Sequence, residues 1–138
     1  MIAVSACLAG ICCRYDGQAN TQEEILEWVK KGEAILICPE QLGGLSTPRL
    51  PCEIQSIDGL RKVINKAGED KTQAFLKGAQ EALKICQMYG IKKAILKAKS
   101  PSCGHGQIYN GHFNRTLVEG SGLTAELLVK NGIEVEVR

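Results

Sequence analysis

Aromatic residues make up only 4% of the chain. That is too few for a platform on which successive bases stack, and it argues against stable nucleic-acid binding. A dominant charge is missing as well. Seventeen basic and fifteen acidic side chains leave a formal net charge of +2, too little for a surface that tracks a phosphate backbone. No apolar run approaches the roughly 18 residues of a membrane span. The apolar start, Met1 to Ala9, has neither a basic leader nor the full apolar stretch of a secretion signal. These absences predict a cytoplasmic protein with no membrane partner. There is no Gly-x-Gly-x-x-Gly and no P-loop, so nicotinamide cofactors and nucleotide hydrolysis have no direct support. Repeats, low-complexity tracts and linkers are also lacking. With 138 residues, the expectation is a single domain over residues 1–138, with no C-terminal extension.

Cysteine, by contrast, is plentiful, with seven in the chain. In a reducing compartment such a set points to metal or redox chemistry rather than to disulfides. Three of them follow short apolar runs that read as buried strands. Ile2 to Ser5 leads to Cys7, Ala34 to Ile37 leads to Cys38, and Ala94 to Leu96 leads toward Cys103. Between the first two runs, Asn20 or Thr21 is expected to cap a helix with Glu23 and Glu24 in its first turn and Gly32 at its end. After Cys38 a turn through Gly43-Gly44 is expected. Glu53 to Ile57 and Arg61 to Asn65 flank Asp58-Gly59, a strong hairpin signal. A long helix opens at Asp70 or Thr72 and stops at Gly90. Residues 104 to 120 read as loop, Ser121 to Lys130 as a helix, and Ile133 to Val137 as a last strand. This alternation predicts an α/β fold, a Rossmann-like three-layer sandwich of about four parallel strands with an added β-hairpin.

In an open parallel sheet the carboxyl ends of the strands gather along one edge, where ligands bind. Cys7, Cys38 and Cys103 are separated by 31 and 65 residues, so no compact ligand motif exists. Their shared position after strands is what groups them. Three thiolates suit an iron–sulfur centre with one unprotected iron, or a zinc ion that keeps an open position. Cys13 lies close enough in sequence to line such a site or to act as a resolving thiol. Glu40, Ser100 and Ser102 are the catalytic candidates: a carboxyl able to move protons, and two hydroxyls able to bind substrate or donate to sulfur. Asp16 and Glu53 are further nearby carboxylates. Arg14, Asp16, Arg49 and Lys97 are the substrate-binding candidates, with the basic groups suited to an anion such as a nucleotide phosphate. Gly10, Gly43, Gly44 and Gly104 are expected to let backbone approach a ligand closely.

Four segments together resemble one family. They are Ser5-Ala6-Cys7-Leu8-Ala9-Gly10, Cys13-Arg14-Tyr15-Asp16-Gly17, Cys38-Pro39-Glu40 through Gly43-Gly44-Leu45 to Thr47-Pro48-Arg49, and Lys97 through Ser100-Pro101-Ser102-Cys103-Gly104. In this order they resemble the domain of unknown function 523 family, whose characterised members are thiouracil desulfidases. The likeness runs along essentially the whole chain. It implies a [4Fe-4S] cluster held by residues matching Cys7, Cys38 and Cys103. The implied reaction is a non-redox hydrolytic desulfuration of a thiolated pyrimidine or similar thiocarbonyl compound, a nucleobase or nucleotide, with the open iron as Lewis acid. The competing expectations are a zinc or thiol-redox enzyme and a non-catalytic module that binds an anion or carries sulfur.

Overall fold

A computed structural model describes all residues from Met1 to Arg138. Four short strands, β1 (Ile2–Ser5), β2 (Ala34–Ile37), β5 (Lys93–Leu96) and β8 (Glu134–Val137), pair in parallel in the spatial order β2-β1-β5-β8. Registers such as Val4 opposite Leu36, Val4 opposite Ile95 and Ile95 opposite Glu136 hold the sheet. The two central strands are almost wholly buried, as expected of strands covered on both faces. Helix α1 (Glu23–Lys30) covers one face, packing Ile25 over Val4, Ala34 and Ile95. Helices α3 (Thr72–Met88) and α4 (Leu123–Lys130) cover the other. There Ala82, Cys86, Ala125 and Leu128 pack on Ala3, Ala94 and Leu96. The three layers and four parallel strands agree with the sequence expectation.

Strand order reverses between β1 and β5. From β1 the chain moves outward to β2, then crosses back over the sheet through α3 to reach β5. That switch point opens a crevice at the carboxyl ends of the strands. Cys38, Cys7 and Cys103 follow β2, β1 and β5, three neighbours in the sheet, so one edge collects all three.

Two antiparallel hairpins stand outside this sheet. The first, β3 (Cys52–Ile57) with β4 (Leu60–Asn65), turns at Asp58-Gly59, both with positive φ (51° and 75°), as a two-residue hairpin loop requires. The second, β6 (Gln107–Tyr109) with β7 (Leu117–Glu119), lies inside the stretch expected to be loop. Another difference is α2 (Pro39–Leu42), a single helical turn where a plain turn was expected.

Two further expectations need correction. Neither Asn20 nor Thr21 caps α1. The residue preceding the helix is Gln22, which makes no side-chain cap, and Asn20 Oδ1 instead accepts a hydrogen bond from Arg14 Nη1 at 2.5 Å. Gly43 serves helix packing rather than ligand approach. A Cβ there would lie 2.0 Å from the Ala74 carbonyl oxygen, and one on Gly78 would lie 1.9 Å from that of Pro39. Helices α2 and α3 therefore meet backbone to backbone through these two glycines, which fixes the position of the loop that carries Cys38.

Candidate functional site

The crevice is a cavity of about 470 Å³. Cys7, Cys38 and Cys103 all line it, and so do Cys13 and Cys52. All seven cysteines are free thiols. Cys7 packs among the side chains under α1 and Cys103 among those under α3 and α4. They come from opposite faces of the sheet and both reach the cavity at its edge.

Local hydrogen bonds set each cysteine. Cys7 lies in a turn of 3-10 helix over Ala6–Ala9, closed by Gly10 at φ 101°. Its carbonyl accepts from the Asn20 N–H at 2.8 Å, which folds the following loop back over the site. Cys38 immediately precedes α2. Cys103 sits in a turn shaped by Ser100, whose Oγ accepts the N–H groups of Ser102 and Cys103, both at 3.0 Å. Ser5, at the end of β1, is buried and lines the cavity. Ser5 Oγ also accepts the Lys97 N–H at 2.9 Å, stitching β1 to the end of β5.

The electrostatics discourage free thiolates. Contact with the Cys13 thiol, burial and the nearby Glu40 carboxyl together push the Cys38 thiol far up. Burial and then Glu40 push Cys103 up, against the pull of Ser5 and Ser102. Cys13 is pushed up to about 11: contact with Cys38 pulls it down, but contact with Cys7, burial and the charge of Glu40 outweigh that. Burial raises Cys52 to about 11, opposed by Arg49. Reactive nucleophilic cysteines have depressed values, so this pocket gives no support to the thiol-redox alternative.

Glu40 and Arg49 form a half-buried pair at 3.7 Å, with side-chain exposures of 16% and 10%. Burial lifts the Glu40 carboxyl above its ordinary range, and the Arg49 guanidinium only partly offsets this. Arg49 is fixed by bonds to the Cys13 carbonyl (3.1 Å), the Ser46 carbonyl (3.2 Å) and Thr47 Oγ1 (3.1 Å). Arg14, Lys97 and Lys99 also line the cavity. Burial lowers the Lys97 ammonium, with Cys7 pulling the other way.

Of the other candidates, Ser100 lines the cavity but Ser102 does not. Ser102 is 1% exposed, and its hydroxyl shares a 2.8 Å hydrogen bond with Thr124. Asp16 also lies off the cavity. It accepts the Gln18 N–H at 3.0 Å and pairs with Arg14 at 3.5 Å, shaping the turn. His105 lies off the cavity too, its Nδ1 3.0 Å from Ser121 Oγ.

Sequence reasoning missed the opposite wall. Tyr15, Lys66, Phe75, Tyr109, Phe113 and Arg115 line the cavity, the last three from the second hairpin and its loop. Phe113 and Arg115 hold positive φ (54° and 62°). The buried Glu53 fixes that loop, its Oε1 accepting the N–H groups of Gly111 at 3.0 Å and Phe113 at 3.2 Å. A glycine-punctuated stretch marks a loop, but nothing in its spacing says which side of the sheet edge it will cover.

Three cavity thiols fit an iron–sulfur centre by donor chemistry, since thiolates are its usual ligands. A lone metal ion is a poorer fit. Zinc needs several donors about 2.0–2.3 Å from one point, and no three His, Cys, Asp or Glu side chains converge in that way. Zinc therefore has no support.

Comparison with known proteins agrees with this reading. The profile of the 2-thiouracil desulfurase family matches residues 2–138. The uncharacterized protein YbbK of Bacillus subtilis (strain 168) is 43% identical over 141 residues, spanning 98% of this chain and 93% of YbbK. Among solved structures, the [4Fe-4S]-dependent thiouracil desulfidase TudS (DUF523Vcz) superposes with a TM-score of 0.90 at 43% identity. That match covers 99% of this chain and 89% of the TudS chain.

Proposed function

The chain belongs to the 2-thiouracil desulfurase family, and from that premise we propose that it is an iron–sulfur-dependent desulfidase acting hydrolytically on a thiolated pyrimidine. One observation carries the reading: loops after three adjacent strands deliver Cys38, Cys7 and Cys103 to a single cavity. These three would hold a [4Fe-4S] cluster. When bound, the cluster supplies a Lewis-acidic iron with a position open to a thiocarbonyl sulfur. Metal binding would also resolve the electrostatic conflict at Cys38 and Cys103, whose thiols the pocket pushes up, because iron would replace their protons.

The remaining groups have assignable tasks. Glu40, lifted by burial, holds a proton closer to neutral pH than an ordinary carboxylic acid does, and can pass it between water and the substrate ring. Arg49 orients that carboxyl. The Ser100 oxygen is occupied by two amide donors, which leaves its own proton for an acceptor in the cavity. Tyr15, Tyr109 and Phe113 provide flat walls for a pyrimidine and restrict water. Arg14, Lys97, Lys99 and Arg115 give the cavity a basic lining that suits a thiolated nucleotide as well as the free base.

The test is anaerobic reconstitution followed by iron and sulfide analysis, absorption spectra and an assay of sulfide released from thiouracil and thiouridine monophosphate. A brown protein that turns over at least one of them is the expected result. A chain that stays colourless, or holds iron without releasing sulfide from any thiolated pyrimidine, overturns the proposal.

A further inference from the structure

Three cations of the cavity are half-buried: Arg14, Arg49 and Lys97. Two of them have a carboxylate. Arg14 pairs with Asp16 at 3.5 Å and Arg49 with Glu40 at 3.7 Å. Lys97 has none. The hydrogen bond of its Nζ runs to the neighbouring Ala98 carbonyl, a neutral acceptor, at 3.3 Å. Lys66, Lys99 and Arg115 also line the cavity without a carboxylate, but they are exposed and keep their water. A cation drawn out of water without a counter-charge is costly. Lys97 therefore points to an anion that the chain itself does not supply.

The fold says where that anion belongs. Strand β5 pairs with β1, Val4 opposite Ile95, and Lys97 is the first residue beyond β5. Its N–H donates to Ser5 Oγ at 2.9 Å, at the last residue of β1. Cys7 follows from β1, and Cys103 follows in the loop that Lys97 opens. Lys97 thus leaves the sheet where the two strands that deliver these cysteines lie side by side, and all three residues line one cavity.

We propose that Lys97 is the counter-ion of the iron–sulfur cluster, its ammonium balancing the negative charge that three thiolates bring to the cavity. The inference rests on the reading of Cys7, Cys38 and Cys103 as cluster ligands. Three thiolates outweigh the dipositive core of a [4Fe-4S] cluster, so the bound group is an anion. An ammonium sharing its partly enclosed cavity attracts it more strongly than in bulk water. That attraction secures the cluster against loss. It also favours the reduced cluster, which is more negative still, and so raises the reduction potential. The same field keeps the open iron electron-poor, as a Lewis acid requires.

The test uses the full chain, reconstituted anaerobically and kept free of substrate. Wild type, Lys97→Met, Lys97→Arg and Lys99→Met are compared. Loss of the cluster to an iron chelator is followed by absorbance, and the midpoint potential is found by dye-mediated titration. Lys97→Met should lose iron severalfold faster than the wild type, and its midpoint should shift to more negative values. Lys97→Arg keeps the charge and should stay close to the wild type in both readouts. Lys99→Met, which removes an exposed cation of the same cavity, should do the same. Lys97→Gln supplies the neutral side chain if far-ultraviolet dichroism shows that the methionine variant folds poorly. Unchanged iron loss and midpoint in the neutral variant overturn the inference and leave Lys97 to the substrate. A defect of equal size in Lys97→Arg or in Lys99→Met overturns it too, since the charge at this one position would then not be the cause. A wild-type chain that never loads iron sinks the cluster reading and this role together. A wild type that loads, beside a Lys97→Met that matches it, sinks only the counter-ion.

Discussion

The cavity has two walls built on different principles. One is the carboxyl edge of the parallel sheet, where β2, β1 and β5 end in Cys38, Cys7 and Cys103. The other is made by the two hairpins, which bring Cys52, Glu53, Tyr109, Phe113 and Arg115. The first wall is positioned by strand pairing between neighbours and by a core on both faces. The second rests on a smaller apolar cluster of Ile54, Val63, Phe75 and Ile108, with polar contacts between distant segments added: Glu53 with the amides of Gly111 and Phe113, and Gln55 Nε2 donating to the Gly111 carbonyl at 2.7 Å. The sheet wall thus carries the three thiols on strands packed on both faces, whereas the hairpin wall rests on a smaller core and offers recognition. Binding residues on variable loops over a fixed scaffold follow the same division.

Damage to the sheet wall should have the largest effect. Cys7→Ser, Cys38→Ser and Cys103→Ser should each cut iron retention after anaerobic reconstitution by on the order of tenfold or more, with the far-ultraviolet dichroism of the wild type. Full iron in all three would remove them as ligands. Gly78→Ala breaks the same wall indirectly. Its Cβ would lie 1.9 Å from the Pro39 carbonyl, so α2 must move away from α3 and carry Cys38 with it. The expected cost is about 1–3 kcal/mol, or roughly 4–12 °C in Tm for a chain of this size. An unchanged melting curve would mean that the two helices do not meet in this way.

The two walls also differ in how far the sequence reveals them. Val4, Ile37 and Leu96 sit in short apolar runs, and a βαβ alternation leaves few topologies for them. The positions of Cys7, Cys38 and Cys103 follow once the sheet is recognised. The β3–β4 hairpin was equally visible, because Asp58-Gly59 dictates its turn. Its location over the cavity was not, since period-2 alternation says nothing of what a two-stranded ribbon packs against. The three-residue strands β6 and β7 are too short to carry a period, and α2 is a single turn opened by Pro39. Ser102 shows the limit at the level of one side chain. The sequence places it beside Cys103, but only the packing of α4 turns its hydroxyl toward Thr124 rather than into the cavity.

Glu53→Gln should separate the walls. The variant keeps one acceptor oxygen but loses the charge that two backbone amides share, a cost of about 1–2 kcal/mol. Phe113 and Arg115 would lose their anchor while the three thiols stay in place. Iron content and cluster spectra should match the wild type, and KM for the thiolated substrate should rise severalfold with a smaller change in kcat. Loss of iron in this variant would show that the hairpin wall supports the thiols after all.

The smallest effect belongs to the outer anchor of the hairpin wall. Arg61 on β4 reaches Glu126 on α4 and the Ser121 carbonyl, and Lys130 Nζ adds a 3.0 Å contact to the same carboxylate. Lys130 first, and Arg61 with it, hold the Glu126 carboxyl below its usual range. A lowered value means that the folded chain favours the ionised form. The stabilisation is thus full above the unfolded value of about 4.3 and disappears as pH falls through the folded one. With side chains 36% and 38% exposed, solvent screening limits the Arg61 contact to about 0.5 kcal/mol. Glu126→Gln should then lower stability by about that much near pH 7 in low salt. The gap should shrink at high ionic strength and close below the ordinary carboxylate range. A gap that persists in acid would assign the contact to packing of α4 against the hairpin rather than to charge. In that case the outer anchor of the hairpin wall would hold by the same apolar burial as the sheet.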